Sequence, residues 1–187
     1  MKPWSQKHSP SNQLSLVYLA LYAIVVLLGG CATPATYDAM VPVTFETAKQ
    51  HQKTVNVGVT GGQETETTGK PQISNAALTQ ALVESITKSK VFSRVIQDKG
   101  VDYQLMVTLF SMEQPSFGFS FTVKMEAGWT LKRVDTGATV WQKSIQSEHT
   151  VGAGEAFAGV VRLRMATEGA ARQNIALGLS EISKLNL

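Results

Sequence analysis

The chain has 187 residues, 43% hydrophobic and 17% charged, with 17 Lys and Arg against 14 Asp and Glu and a single cysteine. That size and balance suit one globular domain with appendages, and one cysteine excludes a disulfide within the chain. Two of the basic residues, Lys2 and Lys7, belong to a leader; the 15 that remain nearly balance 14 acidic ones, so no basic patch is left and nucleic acid is excluded as a partner.

The leader comes first. Lys2, Lys7 and His8 form a basic n-region, and Leu14 to Leu28 is an apolar run too short for a confident membrane span. It closes in Leu28-Gly29-Gly30-Cys31, which matches the bacterial lipobox. Residues 1–30 are therefore expected to be a lipoprotein signal peptide. Cys31 would become the mature N-terminus, carrying a diacylglycerol and an N-acyl chain and so holding the protein to a membrane. No other cofactor is implied. Ala32 and Thr33 follow where an aspartate commonly signals inner-membrane retention, so an outer-membrane anchor facing the periplasm is expected.

Residues 31–52 read as the lipidated cysteine and a tether, although Val41-Pro42-Val43-Thr44-Phe45 could instead lie along the domain. The domain is expected over residues 53–187. Thr54 to Thr60 alternates valine with small or polar residues and is a strand. A polar loop over 61–72 leads to a helix capped by Ser74 or Asn75, with Ala77, Leu78, Ala81, Leu82 and Ile86 on one stripe. Val91 to Ile96 is a short strand, and Tyr103 to Met112, apolar on both faces, a central one.

From Phe117 to Leu131 every second residue is apolar, the period of a strand with one dry face. Its length calls for a bend or bulge at Gly118 or Gly128. Lys124, Glu126, Thr130 and Lys132 fall on the opposite, open face. A hairpin at Val134 to Ala138 returns the chain through Thr139 to Gln146. From about Ala158 to Leu185 the composition is helical, with apolar residues nearly encircling the axis; such a helix is buried on most of its surface, interrupted near Gly169, or packed against another subunit. Arg164, Glu168 and Arg172 form an ion-paired row along it. The fold class is α+β: a two-layer sandwich with a mostly antiparallel sheet of four to five strands and two helices on one face.

Catalytic patterns are poorly represented, and an enzyme is not expected. Asp135-Thr136-Gly137-Ala138 resembles an aspartic-protease turn, but Lys132 and Arg133 precede it and a hairpin explains the glycine. Gly69-Lys70 lacks the spacing of a phosphate loop. His51 and His149 are far apart, without cysteine partners, and read as surface residues rather than a metal site. Glu148 and Glu155 read as residues of a solvated loop. The residues that point to function are candidate partner anchors: Phe117 and Phe119 beside Pro115 and Gly118, then Phe157, Arg162 and Arg164 in a small-residue segment at the start of the last helix.

Asp102-Tyr103-Gln104-Leu105 entering the third strand, and Thr136-Gly137-Ala138-Thr139-Val140-Trp141 before the last, join the lipobox in a pattern that resembles small α/β periplasmic lipoproteins of Gram-negative bacteria. It is similar to the auxiliary lipoproteins of ABC-type transport systems, to lipoprotein activators of penicillin-binding proteins, and to the periplasmic part of the curli-secretion lipoprotein. The resemblance implies a non-catalytic component of a periplasmic protein complex, with transport of lipid or other envelope components as the first expectation. An adaptor that activates a cell-wall synthase, or a structural lipoprotein self-assembling as a homo-oligomer, are the alternatives.

Overall fold

The computed structural model describes Tyr18 and residues 31–98 and 100–187. The leader's basic and apolar stretches and Leu28 to Gly30 lie outside the described residues, apart from Tyr18. The elements are a one-turn helix α1 (Tyr37–Met40), strand β1 (His51–Thr60), helix α2 (Asn75–Ser89), and strands β2 (Phe92–Val95), β3 (Tyr103–Glu113), β4 (Phe121–Arg133) and β5 (Thr139–Val151), followed by helix α3 (Gly159–Ser183). Among the described residues no helix is long and apolar enough to cross a membrane.

The five strands form one sheet in the order β2-β1-β3-β4-β5. The expected α+β class holds. β3, β4 and β5 are antiparallel, whereas β1 runs parallel to both its neighbours, β2 and β3. A helical crossover forces the parallel pairing: α2 carries the chain from the end of β1 back along the sheet, so β2 starts where β1 started. Ser74 caps α2, accepting the Ala77 N–H at 3.2 Å. At its other end Lys90 takes a left-handed conformation with φ of 56°.

Alternation along β4 places Phe121, Val123, Met125, Ala127, Trp129 and Leu131 in the core, the last three opposite Leu109, Val107 and Leu105 of β3. The strand begins four residues later than its period suggests. At Gly159, where α3 starts, an added Cβ would lie 3.6 Å from the Phe121 ring, so the helical layer begins level with this residue. Beyond it, among the described residues, nothing covers Phe117 and Phe119. Gly118, at φ of 154°, takes a backbone path that disfavours side chains and ends the strand. The expected irregularity of β4 falls instead in its neighbours: β3 shifts register between Leu109 and Ser111, and β5 does so opposite Leu131 and Lys132. Gly128 has a different use. The Phe110 ring, pushed to the open face by the bulge, lies directly over it where a Cβ would stand.

α3 runs unbroken through Gly169. Its apolar perimeter has an internal explanation. One side packs on the sheet, where the buried Trp129 indole donates to Asn174 Oδ1 at 2.9 Å and lies flat on Gly178. Asn174 in turn donates to the Ile145 carbonyl at 2.8 Å, and Ser147 Oγ donates to the Ala170 carbonyl at 2.8 Å. Three buried polar groups are thus satisfied within the layer, as a dry core requires.

The other side of α3 is covered by residues 33–48. Of the two readings of this segment, a tether or a stretch lying along the domain, the structure has the second. Ala35, Met40 and Val41 are buried, the Ala48 N–H donates to Ser183 Oγ at 2.9 Å, and Arg172 donates to the Ala39 carbonyl at 2.9 Å. Burial of these apolar side chains offsets the entropy a free tether would keep. The compact unit accordingly starts at Ala32, earlier than the expected residue 53.

Candidate functional site

The row Arg164, Glu168, Arg172, expected as an ion-paired ladder, also clamps residues 33–39. Glu168, only 6% exposed, accepts the Thr36 N–H at 3.0 Å and lies 3.8 Å from Arg164 Nε. Arg164 Nη1 donates to Thr33 Oγ1 at 2.9 Å. The Ala32 and Ala35 N–H groups donate to the carbonyls of Thr67 and Gln72, at 3.1 and 3.0 Å. The chain is thereby fixed to the domain from its first residue after Cys31.

Two of the candidates bond within the chain. Arg164 is engaged with its own chain, and Arg162 Nη1 donates to the carbonyls of Ala156 and Phe157, at 2.6 and 2.8 Å, while its guanidinium stands 5.5 Å over the Phe121 ring. Both arginines, partly exposed, brace the chain's own loops. The three phenylalanines do face outward: Phe117 is 89%, Phe119 88% and Phe157 95% exposed. They sit on the loops 114–120 and 152–158, which leave the same end of the sheet because Phe121 pairs with Val151. Cys31 is exposed.

A second surface is the bare face of the sheet. The helices α1, α2 and α3 all lie on the opposite side, so among the described residues nothing covers Phe110, 61% exposed over Gly128. In register across three strands stand Glu113, Lys124 and Glu148, a lysine flanked by two carboxylates. A cleft of about 480 Å³ opens here, lined by Ser111, Glu113, Lys124, Glu126, Gln146 and Glu148 among others. Alternation along β4 placed Lys124 and Glu126 on this face from the sequence. What alternation could not supply is register, which alone brings Glu113 and Glu148 to the same lysine.

The remaining candidates have structural roles. Asp135 pairs with Arg133, Nη2 to Oδ2 at 2.6 Å, in an exposed turn; this hydrogen bond holds its carboxyl below the usual range, the opposite of a buried protease aspartate. Asp102 accepts from the Thr54 N–H and hydroxyl at 2.7 and 2.8 Å, which lowers its pKa and secures β1 beside its register shift. Glu155 accepts the Gly152 N–H at 2.7 Å and closes its own loop, apart from Glu148. The histidines are not surface residues: His51 is buried with Nε2 3.0 Å from the Ile182 carbonyl, and His149 lies half-buried against Gly169. Burial, then the nearby Arg172, lowers the His149 pKa below 6.5.

This constellation defines a domain of the α+β class with a one-sided sheet, aromatic loop tips and a strap formed by residues 32–48. Protein XCC0632 from Xanthomonas campestris, described by the family model DUF330, has a similar fold: TM-score 0.57 at 12% identity, over 80% of this chain and 91% of that one. Protein CT253 from Chlamydia trachomatis aligns with TM-score 0.54 at 6% identity, over 71% of this chain and 96% of that one. PelC from Paraburkholderia phytofirmans, a dodecamer, gives TM-score 0.48 at 14% identity, over 77% and 95%. Further matches include lipoproteins from Neisseria meningitidis and Acinetobacter baumannii. XCC0632 and CT253 share the fold with the chain. No family model matches the sequence, and no curated protein does.

Proposed function

We propose that the chain is a non-catalytic lipoprotein, acylated at Cys31 and held at the outer membrane facing the periplasm, that serves as a binding component of an envelope machine. The observation that carries this reading is the five-stranded face that no other described element covers, presenting Phe110 over Gly128 and, four residues along β4, the Glu113-Lys124-Glu148 row. Apolar anchor and charge pattern together are what a specific protein contact uses. A transport system for lipid or other envelope components is the first partner class. The charged lining of the open-face cleft, with no phenylalanine among its residues, favours the second reading, an adaptor that contacts a cell-wall synthase, over direct handling of acyl chains by this chain.

The test is site-specific photocrosslinking in cells producing the lipidated protein, with the crosslinker at Thr108 or Thr130 on the open face. Adducts with transporter subunits support the first reading, and adducts with a peptidoglycan synthase support the second. Adducts only between copies of the chain, or none, overturn the proposal in favour of self-assembly or of another surface.

A further inference from the structure

β1 and β3 end, β4 begins and β5 ends at one end of the sheet. The loops 61–74, 114–120 and 152–158 are therefore neighbours there, and side chains tie them together. Lys70 Nζ donates to the Gln114 carbonyl at 2.7 Å, and Gln114 Nε2 donates to the Pro71 carbonyl at 2.6 Å and to Thr167 Oγ1 at 2.9 Å. Arg162 fastens 156–157 beside Phe121. Ala32 joins the same assembly through Thr67. Phe117, Phe119 and Phe157 project from these braced loops with almost their whole surface in solvent, although 31 hydrophobic residues among those described are buried.

We infer that Phe117, Phe119 and Phe157 enter the interface of the lipid bilayer in which Cys31 is anchored. The inference rests on the acylation proposed above. One peptide bond separates Cys31 from Ala32, about 3.8 Å between Cα atoms. Because residues 32–36 are hydrogen-bonded to the domain, no slack chain lets it stand away from the acyl chains. The bilayer surface must then lie against this end of the sheet, where the three rings are. Aromatic side chains partition into that interface, and a single surface bearing several of them adds a second contact to the acyl anchor. The opposite end of the sheet carries Lys53, Asp102, Arg133 and Asp135 in ion pairs, a set suited to water. The domain is held upright, its bare sheet face turned sideways to the membrane plane and open to a partner.

The test uses the full chain, produced lipidated, purified, and placed in vesicles of phosphatidylethanolamine and phosphatidylglycerol. With Cys31 acylated, Phe117→Cys, Phe119→Cys, Phe157→Cys and the far-end control Thr136→Cys each offer one thiol for an environment-sensitive fluorophore. Nitroxide-bearing lipids are expected to quench the first three several-fold more than the control, and aqueous iodide the reverse. Without any label, amide exchange in 114–120 should slow on vesicle binding in the parent protein but not in the Phe117→Ala/Phe119→Ala/Phe157→Ala variant. Iodide quenching equal to that at Thr136, in protein that floats with the vesicles and whose Cys31 mass shows acylation, overturns the inference while leaving the anchor intact. Absence of acyl mass and of flotation overturns the acylation reading itself. Concentration-dependent protection without lipid quenching means a second copy covers the rings, and also overturns it.

Discussion

The carboxylate of Glu168, buried in α3, accepts the backbone N–H of Thr36 from 132 residues earlier in the chain, at 3.0 Å. This bond acts together with the Ala32 and Ala35 backbone bonds and with Arg164 and Arg172 to lay the segment after Cys31 along the domain. Glu168→Ala leaves the Thr36 N–H short of its partner and Arg164 without its counter-ion. A loss of about 1–3 kcal/mol is expected from a buried group left unpaired. Chemical denaturation measures the loss, and amide exchange should show residues 33–41 opening before the sheet. Glu168→Gln, which keeps an acceptor oxygen, should cost less.

Asn174 is the polar hub beneath α3, bonded at once to Trp129 and to the Ile145 carbonyl. Asn174→Ala strands a buried indole N–H and a strand carbonyl, so a destabilisation of about 2–4 kcal/mol is expected from two lost bonds and a small cavity. Trp129→Phe removes the indole donor and should lose less. Thermal unfolding of the two variants side by side gives the ranking; a cost for Asn174→Ala no larger than for Trp129→Phe would contradict the hub.

Gly178→Ala should destabilise even though alanine favours helix by about 1 kcal/mol. An added Cβ at Gly178 would stand 2.5 Å from the Trp129 ring. The helix must shift or the indole must tilt, and overpacking of this kind costs about 1–3 kcal/mol. A melting temperature at or above that of the parent would show that the layer has room the structure does not reveal.

His149 predicts a pH dependence near neutrality. Burial lowers its folded-state pKa below 6.5, and Arg172 adds to the shift against a smaller opposing effect of Glu155. The unfolded chain therefore binds a proton first as pH falls. Stability from this residue is complete above about pH 6.5 and declines as pH falls from there through the folded pKa. His149→Asn should flatten that part of the stability profile, and an NMR titration of the ring should give a midpoint below 6.5.

Glu181 acts at lower pH. Hydrogen bonds from Lys143 and Lys184 pull its pKa down to about 2 from 4.5. Its contribution is present above pH 4.5 and lost as pH falls through about 2. Because the pair is largely solvent-exposed, the loss is small and salt-sensitive. Denaturation of Glu181→Gln against the parent between these two pH values, at low and high salt, measures it.

What the sequence by itself determined was periodic. Alternation from Phe121 to Leu131 and the stripe through Leu78, Leu82 and Ile86 are properties of neighbours along the chain, and they sufficed for the α+β class, the dry face of β4 and the open position of Lys124. The lipobox is likewise local, read from four adjacent residues. Phe117 and Phe119 show where period stops being informative: they continue the alternation of β4, yet α3 begins only level with Phe121, and no short-range rule says where a covering layer ends. The covering of α3 needed the tertiary structure as well. Its all-round apolar surface allowed a second subunit, and only the fold laid Ala35, Met40 and Val41 there. Clamp, strap and charged row all join residues distant in sequence, and their contacts follow from register and layer order, which are settled by packing of the whole chain.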